Sequence, residues 1–344
     1  MNDVSTPVKK ELSPRAQKAK LGLNKRGQTP EQYREHKKLK AQTKAFAVAN
    51  GLDWGIKKVP TYFEWNGDML PSGNFSLVHT RTTESLNTTK DTYRVSQNHH
   101  IIRLMLMGVK DFSDELRVVK AGSLHGGRKV YIQLEVIGDG FVKGDKIKRY
   151  VTVIDSNDGS SSLSVGIGNL TMSCANQFFY FYKKGDAKFR HSASMVEKMK
   201  TIPSLIQYAL SASMRMMNLY QKFESTPITR DLAHNMVEAQ LGYSLKSKQE
   251  DLDELSTRSK NVMESLYKNI YGEMDGDSEN GNFAKGENLW GLFSGVTRWT
   301  THHKQAPKRG DEANGRLESV MIGTNYKNNE KALKFALAHI DEKF

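Results

Sequence analysis

Residues 128–168, RKVYIQLEVIGDGFVKGDKIKRYVTVIDSNDGSSSLSVGIG, decide the fold of this chain of 344 residues. In residues 128–137, apolar side chains alternate with polar or aromatic ones, and a period of two is typical of a strand with one buried face. A polar turn separates this strand from residues 148–154, which are rich in the β-branched side chains that favour strands. The two segments therefore predict an antiparallel hairpin.

A second reversal follows at residues 157–159, where Asn-Asp-Gly supplies the residue types that tight turns need. Apolar and small side chains alternate again through residues 163–167, so we expect 151–154 to pair with 163–167. The alternation continues to Cys174, the single cysteine of the chain. We expect the Cys174 side chain on a buried face, where a lone cysteine is usually a small apolar group.

Beyond this sheet the apolar period changes to three and four, which indicates amphipathic helices. Helices are predicted at 194–223 with a bend at Pro203, and at 229–245, 252–271, 288–303 and 328–340. On the N-terminal side, strands are predicted at 61–65, 75–80 and 92–95, and a helix at 98–107. Asn176 is a candidate cap for a further helix beginning in the aromatic block at 178–182. These elements predict an α+β fold, with a curved antiparallel sheet and long packed helices.

Positive charge is distributed unevenly along the chain, whose formal net charge is +13. Residues 7–44 contain twelve Lys or Arg and three Glu, an excess of nine positive charges. We interpret residues 1–45 as a basic flexible arm, with a helix at 30–49 that starts at Thr29-Pro30-Glu31. The remaining predicted divisions are a core at 46–272, an acidic, glycine-rich loop at 273–287 and packed C-terminal helices at 288–344.

Several classes of protein are disfavoured by what the sequence lacks. One cysteine excludes an internal disulfide, and no apolar run approaches the roughly 20 residues that cross a bilayer, so we expect a cytoplasmic protein with no membrane partner. The phosphate-binding pattern G-x-x-x-x-G-K-[ST], the G-x-S-x-G elbow and the H-E-x-x-H helix do not occur. We therefore expect no cofactor and no ATP-driven mechanism.

A set of short segments makes the chain similar to a known family. The segments are YRVSQNHH (93–100), AGSLHGGRKVYIQLEV (121–136), SNDGSSS (156–162), Cys174 with Asn176, Arg190-His191, and NLWGLFSGVTRWTTHH (288–303). In this order they resemble the phage and plasmid-like proteins grouped as domain of unknown function 932. The resemblance implies an α+β fold and an accessory gene of a phage or mobile element in a bacterial host, without an established activity. Asn157 stands where the family commonly has a histidine before Asp-Gly, which weakens any mechanism that needs that histidine.

Enzymatic hypotheses rest on side chains scattered along the chain. A metal ion would need several of Asp155, Asp158, Cys174, His191, His302 and His303, because imidazole and carboxylate groups suit divalent cations. Their spacing fits no dense ligand motif, and roles in turns, core and caps explain them as well. To act as a nucleophile, Cys174 would need its pKa lowered by a neighbouring histidine, for which His191 is the candidate, or by a helix N-terminus. The second hypothesis is a metal-dependent nuclease, or another enzyme that modifies nucleic acids, using Asp158, His191 and His302.

Nucleic-acid binding is the first hypothesis, because cations that track phosphates and aromatic faces that stack on bases together hold single strands. The candidate residues are Arg128, Lys129 and Tyr131 on one strand, Lys146, Lys148, Arg149 and Tyr150 on its neighbour, and Lys183, Lys184, Lys188 and Arg190 after the aromatic block. The alternative is that these aromatic residues are core and the cations a solvated rim. We expect ATP-independent binding and annealing of single-stranded DNA by a homo-oligomeric ring or filament, on a fold similar to those of phage Red-beta and Erf type annealing proteins. A phage structural or host-inhibiting protein is a third hypothesis.

Overall fold

The computed structural model describes residues 27–173, 175–181, 188–242, 255–276, 284–305 and 312–341. The helices are α1 (Pro30–Ala49), α2 (Asn98–Asp111), α3 (Met195–Met199), α4 (Ile202–Ser225), α5 (Arg230–Leu241), α6 (Thr257–Asp275), α7 (Leu289–Arg298), a π-helical turn (Trp299–His303), α8 (Glu312–Met321) and α9 (Thr324–His339). The strands are β1 (Ile56–Trp65), β2 (Asp68–His79), β3 (Ser85–Thr89), β4 (Leu116–Leu124), β5 (Lys129–Val142), β6 (Asp145–Ser156), β7 (Leu163–Thr171), β8 (Gln177–Phe181) and β9 (Lys188–Phe189). The predicted α+β class with an antiparallel sheet is confirmed.

The main sheet has the strand order β4-β5-β6-β7-β8, and β9 also pairs with β7. All of these pairs are antiparallel. Val153 lies opposite Ile132 on one side and Val165 on the other, so the two predicted reversals are confirmed. Bulges interrupt β4 after Val118 and β5 after Val136, and bulges increase the local twist of a sheet.

Both faces of the main sheet are covered, but to different extents. The inner face carries Ile132, Val153 and Val165, which pack into the large core with Ile206 and Met216 of α4. The outer face carries a smaller cluster, formed by Leu124, Tyr131, Ile154, Phe179 and Phe181 of the sheet region with Val320 and Met321 of α8 and Tyr326 of α9. The outer cluster therefore covers the part of the sheet nearest the 157–159 turn.

The second sheet, β1-β2-β3, is tied to the core by the segment that precedes α2. The Gln97 amide donates to the Ile56 carbonyl and accepts from the Ile56 backbone nitrogen, as a neighbouring strand would. The buried Asn98 amide donates to the carbonyls of Leu52 and Trp54. Gln97 thus supplies to Ile56 the hydrogen bonds that a neighbouring strand would give, and Asn98 fixes the chain just before β1.

Three predictions of local structure are wrong. Residues 92–95 form an irregular segment, because Tyr93 and Ser96 bond across to β6 rather than within a strand ladder. The aromatic block forms the strand β8, paired with β7, so Asn176 precedes a strand and caps no helix. The predicted helix at 194–223 is two helices, and Pro203 stands in the first turn of the second, where its missing N–H has no helical partner to lose.

The remaining helix predictions are borne out or lie partly outside the described residues. Helix α1 begins where predicted, with Thr29 and Gln32 forming a reciprocal capping box. Cys174 lies outside the described residues. Among the described helices, none has the length and apolar character needed to span a membrane.

Candidate nucleic-acid interface

One exposed region of the outer face brings cations and aromatic rings together. Side chains opposite one another in an antiparallel register share a face, and so do residues two apart in one strand. Arg117 lies opposite Glu135, which lies opposite Tyr150, and Phe141 lies opposite Lys146. We define the outer-face patch as Arg117 and Lys120 of β4, Phe141 of β5, and Lys146, Lys148 and Tyr150 of β6.

The patch has a net positive charge. Arg117 binds Glu135 through Nε at 2.9 Å and Nη2 at 2.8 Å, while Lys148 Nζ lies 3.5 Å from the other carboxylate oxygen. Lys146 pairs with Asp139 at 2.6 Å. The four cations Arg117, Lys120, Lys146 and Lys148 therefore face two carboxylates, so the excess is two positive charges.

The aromatic members of the patch differ in exposure. Phe141 is 54% exposed. Tyr150 is partly buried, and burial together with the Glu135 charge raises the pKa of its phenol, so the ring stays neutral at ordinary pH. Both rings thus add apolar faces without adding negative charge.

The structure places four other predicted binding residues in structural roles. Arg149 projects from the inner face, is 7% exposed and donates to the Gly138 carbonyl and the Met214 sulfur. Arg128 donates to the carbonyls of Leu86 and Ser85 in β3. Tyr131 lies in the outer apolar cluster. Lys129 is buried and bonded to two carboxylates, as described below.

The other four predicted residues follow the aromatic block, and the described part of that segment runs beside β7 rather than at the patch. Lys188 belongs to β9, which pairs with β7 on the far side of β6. Arg190 is exposed and follows β9. Lys183 and Lys184 lie outside the described residues.

The 157–159 turn closes the covered end of the sheet through a charged node, which we define as His125, Lys129, Asp158 and Glu318. Lys129 Nζ lies 2.9 Å from Asp158 Oδ2 and 2.7 Å from Glu318 Oε1, and His125 contacts the second oxygen of Glu318. The node therefore ties β5, the turn and α8 together.

Hydrogen bonds keep Asp158 ionised within the node. Asp158 Oδ1 accepts from Ser156 Oγ at 2.5 Å and from the Ser160 backbone nitrogen at 3.0 Å. Burial alone would raise the pKa of Asp158, but the bonds from Ser156, Ser160 and Lys129 outweigh it and hold the pKa far below its ordinary value. Both carboxylate oxygens are thus occupied by donors.

A second buried polar group lies next to the turn, around His191. Its Nε2 is 3.1 Å from Asp155 Oδ1, and its Nδ1 is 3.0 Å from the Arg94 carbonyl oxygen. Tyr93 stacks on the ring with a centroid distance of 4.6 Å, and Ser96 donates to the other oxygen of Asp155.

Both nitrogens of His191 face acceptors, which favours the doubly protonated imidazolium. Burial would lower the pKa of His191, but the hydrogen bond and charge of Asp155 raise it above the ordinary value. With both ring nitrogens facing acceptors, His191 is poorly placed to take a proton from a substrate.

The residues considered for a metal site are divided among separate elements. Asp155 meets His191 and Asp158 meets Lys129, while His302 and His303 belong to the π-helical turn. Within the described ranges, no group of three His, Cys, Asp or Glu side chains is arranged to hold a metal ion.

Sequence reasoning missed Arg117, Lys120 and Phe141. Strand β4 was not predicted, because the bulge after Val118 breaks the alternation of its side chains. The apolar character of β5 could have indicated β4, because a strand this apolar is usually paired on both sides and β6 accounts for only one of them.

Comparison with known proteins identifies the family. No curated protein and no solved structure matches the chain significantly. The model of the family described as domain of unknown function (DUF932) matches residues 85–321, which is 237 of the 344 residues. The match contains the outer-face patch, the charged node and the His191 group. The chain therefore belongs to the DUF932 family.

Proposed function

We propose that this protein binds single-stranded nucleic acid through the outer-face patch. The observation that carries the proposal is that four cations share one sheet face with an exposed aromatic ring, Phe141, and a partly buried one, Tyr150. Cations at the strand spacing can follow a phosphate backbone, while Phe141 and Tyr150 offer ring faces to unpaired bases. Each of these contacts is independent of base identity.

Single strands fit this surface better than a duplex. Stacking on Phe141 requires a base that is not already stacked in a helix, and an open sheet face lets the other base edges remain accessible. Accessible edges would allow a second strand to pair, so ATP-independent annealing is the activity that we propose. DNA is the substrate that we propose first, with RNA as a comparison in the same assay.

The nuclease hypothesis has weaker support in the geometry. Asp158 is bonded to Lys129 and to two serines, and both nitrogens of His191 are engaged. A nuclease of this kind needs carboxylates free to hold Mg²⁺ beside a phosphate. Cleavage that appears with Mg²⁺ or Mn²⁺ and disappears in Asp158→Ala would replace the binding proposal.

The experiment is fluorescence anisotropy with a labelled oligonucleotide over a salt series. Lys146→Ala/Lys148→Ala should weaken binding and reduce the slope of log K against log salt by about 1.4, since each single-strand phosphate contact contributes about 0.7. Lys327→Ala/Lys334→Ala removes the same charge from exposed positions of α9 and is the matched control. Phe141→Ala should weaken binding without changing the slope.

Two results would contradict the proposal. The first is absence of binding by the full chain at low ionic strength. The second is an equal loss in the patch and control variants, which would mean that net charge alone drives binding. A deletion of residues 1–26 separates the contribution of the basic N-terminal segment from that of the sheet.

A further inference from the structure

The hairpin of β1 and β2 ends in an apolar tip, which we define as residues 61–72. Tyr62, Phe63, Trp65, Met69 and Leu70 are each 39–65% exposed there. The described residues leave this surface open, although large aromatic side chains are usually buried against something. An exposed apolar surface of this kind marks an interaction site.

Both faces of the tip carry apolar side chains. Phe63 lies opposite Leu70 on one face, and Tyr62 lies opposite Pro71 on the other. Packing one face against the body of the same chain would leave the second face in water. The tip is therefore suited to insertion between parts of a partner, which can cover both faces at once.

The charge of the tip limits the choice of partner. Residues 59–80 contain Glu64 and Asp68 but no Lys or Arg, so this segment has a charge of −2 in a chain whose net charge is +13. Phosphates would be repelled by the two carboxylates, and so would a second identical tip. The partner should be basic and partly apolar.

The outer-face patch of another copy has these properties. It carries two excess positive charges, and Phe141 is exposed within it. Ile137 and Met172 extend the apolar surface beside it, since both are about half exposed and the Met172 backbone bonds to the Lys146 carbonyl. Complementary charge and apolar surface thus occur on two different regions of one chain.

We propose that the apolar tip of one copy docks on the outer-face patch of a second copy. The contact joins two different surfaces, so the first copy keeps a free patch and the second copy keeps a free tip. Such a head-to-tail contact builds rings when the rotation closes and filaments when it does not. A docked tip would also cover the surface that we assign to nucleic acid, so assembly and nucleic-acid binding should compete. This competition rests on the proposed function, whereas self-association does not.

Sedimentation velocity of the full chain, freed of nucleic acid, tests the contact over a concentration series. Wild-type protein should form species larger than a dimer, and moderate salt should dissociate them. Phe63→Ser/Trp65→Ser should raise the dissociation constant about thirtyfold, as the loss of a central aromatic contact typically does. Tyr33→Ser/Val48→Ser on α1 removes equally exposed apolar side chains and should have no effect.

A charge exchange tests which surfaces meet. Glu64→Lys/Asp68→Lys should weaken assembly, Lys146→Glu/Lys148→Glu should weaken it as well, and the chain with all four changes should assemble again. A wild-type protein that is monomeric at every concentration overturns the proposal. So does a four-change chain that assembles no better than either double variant when all three have the wild-type melting temperature.

Oligonucleotide binding separates this proposal from the previous one. Glu64→Lys/Asp68→Lys should bind the oligonucleotide at least as tightly as wild type, because it frees the patch. If this variant stays assembled but loses oligonucleotide binding, the tip contacts nucleic acid and not a second copy. Absence of oligonucleotide binding by wild type would remove the competition and leave the self-association measurement unchanged.

Discussion

Lys129 should be one of the most important charged residues for stability, although it lies within a basic stretch. Its side chain is 3% exposed, and the carboxylates of Asp158 and Glu318 that it bonds are each 16% exposed. Lys129→Met keeps the apolar stem but leaves two carboxylates without their cation. Removing one partner from a buried ion pair costs about 3–5 kcal/mol.

We expect a loss near 3 kcal/mol, because the remaining exposure of the two carboxylates lets water screen part of their charge. This corresponds to a roughly 150-fold larger unfolding constant. Lys146→Met is the matched control, since Lys146 and Asp139 form an ion pair with both side chains more than 40% exposed. Lys146→Met should lower the free energy of unfolding by less than about 1 kcal/mol.

The pH dependence gives a second measurement of the same interaction. Burial raises the pKa values of Asp158 and Glu318, but bonds that include those from Lys129 outweigh it and lower both. Lowered folded pKa values stabilise the fold above the ordinary values of 3.8 and 4.5, and this stabilisation is lost as the pH falls through the folded values. The difference in unfolding free energy between wild type and Lys129→Met should therefore be largest at neutral pH and should decrease in acid.

Urea unfolding followed by tryptophan fluorescence and circular dichroism measures both effects. The reasoning is refuted if Lys129→Met destabilises the protein no more than Lys146→Met does. It is also refuted if the difference between Lys129→Met and wild type stays constant as the pH falls below the ordinary carboxyl values.

Two further predictions concern the centre and the edge of the main sheet. Gly166→Ala should cost about 1–3 kcal/mol in urea unfolding, since its Cβ would collide with the backbone of Tyr180 and Phe181, whereas Gly122→Ala would meet only the movable Tyr131 ring and should cost less. Despite burial, Asp155 raises the pKa of His191 in the folded protein. The stability that protonated His191 contributes is therefore fully present below about pH 6.5 and is lost as the pH rises through the pKa of the folded state. The wild-type melting temperature should therefore fall relative to that of His191→Gln as the pH rises above neutral, and parallel curves for the two proteins would contradict this assignment.

Much of the main sheet could be predicted because its determinants are local. The alternation in β5, β6 and β7 gives their faces, and the turn residues between them give the pairing. The strand β8 was misassigned because its aromatic block has no alternation, and both of its faces are buried. A buried strand of this length cannot be told from a helix by periodicity alone.

The site was predicted less well, because sequence spacing gives the face of a side chain but not what covers it. Lys129 and Lys148 are both cations that project from the outer face of paired strands. Helix α8 lies nearly two hundred residues further along the chain, and its Glu318 converts Lys129 into a buried ion-pair partner. Arg149 occupies the inner face, so a basic run on one strand divides between opposite faces.

Only one of the two proposed surfaces lies within the residues that match the family. Residues 85–321 include the patch and the charged node but exclude the apolar tip at 61–72. Nucleic-acid binding by the patch can therefore be tested on other members of the family as well as on this chain. Head-to-tail assembly needs both surfaces, so a result obtained with this chain applies only to family members that carry an equivalent apolar tip. Exchanging charge between Glu64 and Asp68 on the tip and Lys146 and Lys148 on the patch is therefore the sharper test of assembly. It compares variants of this chain only and needs no surface that other family members share.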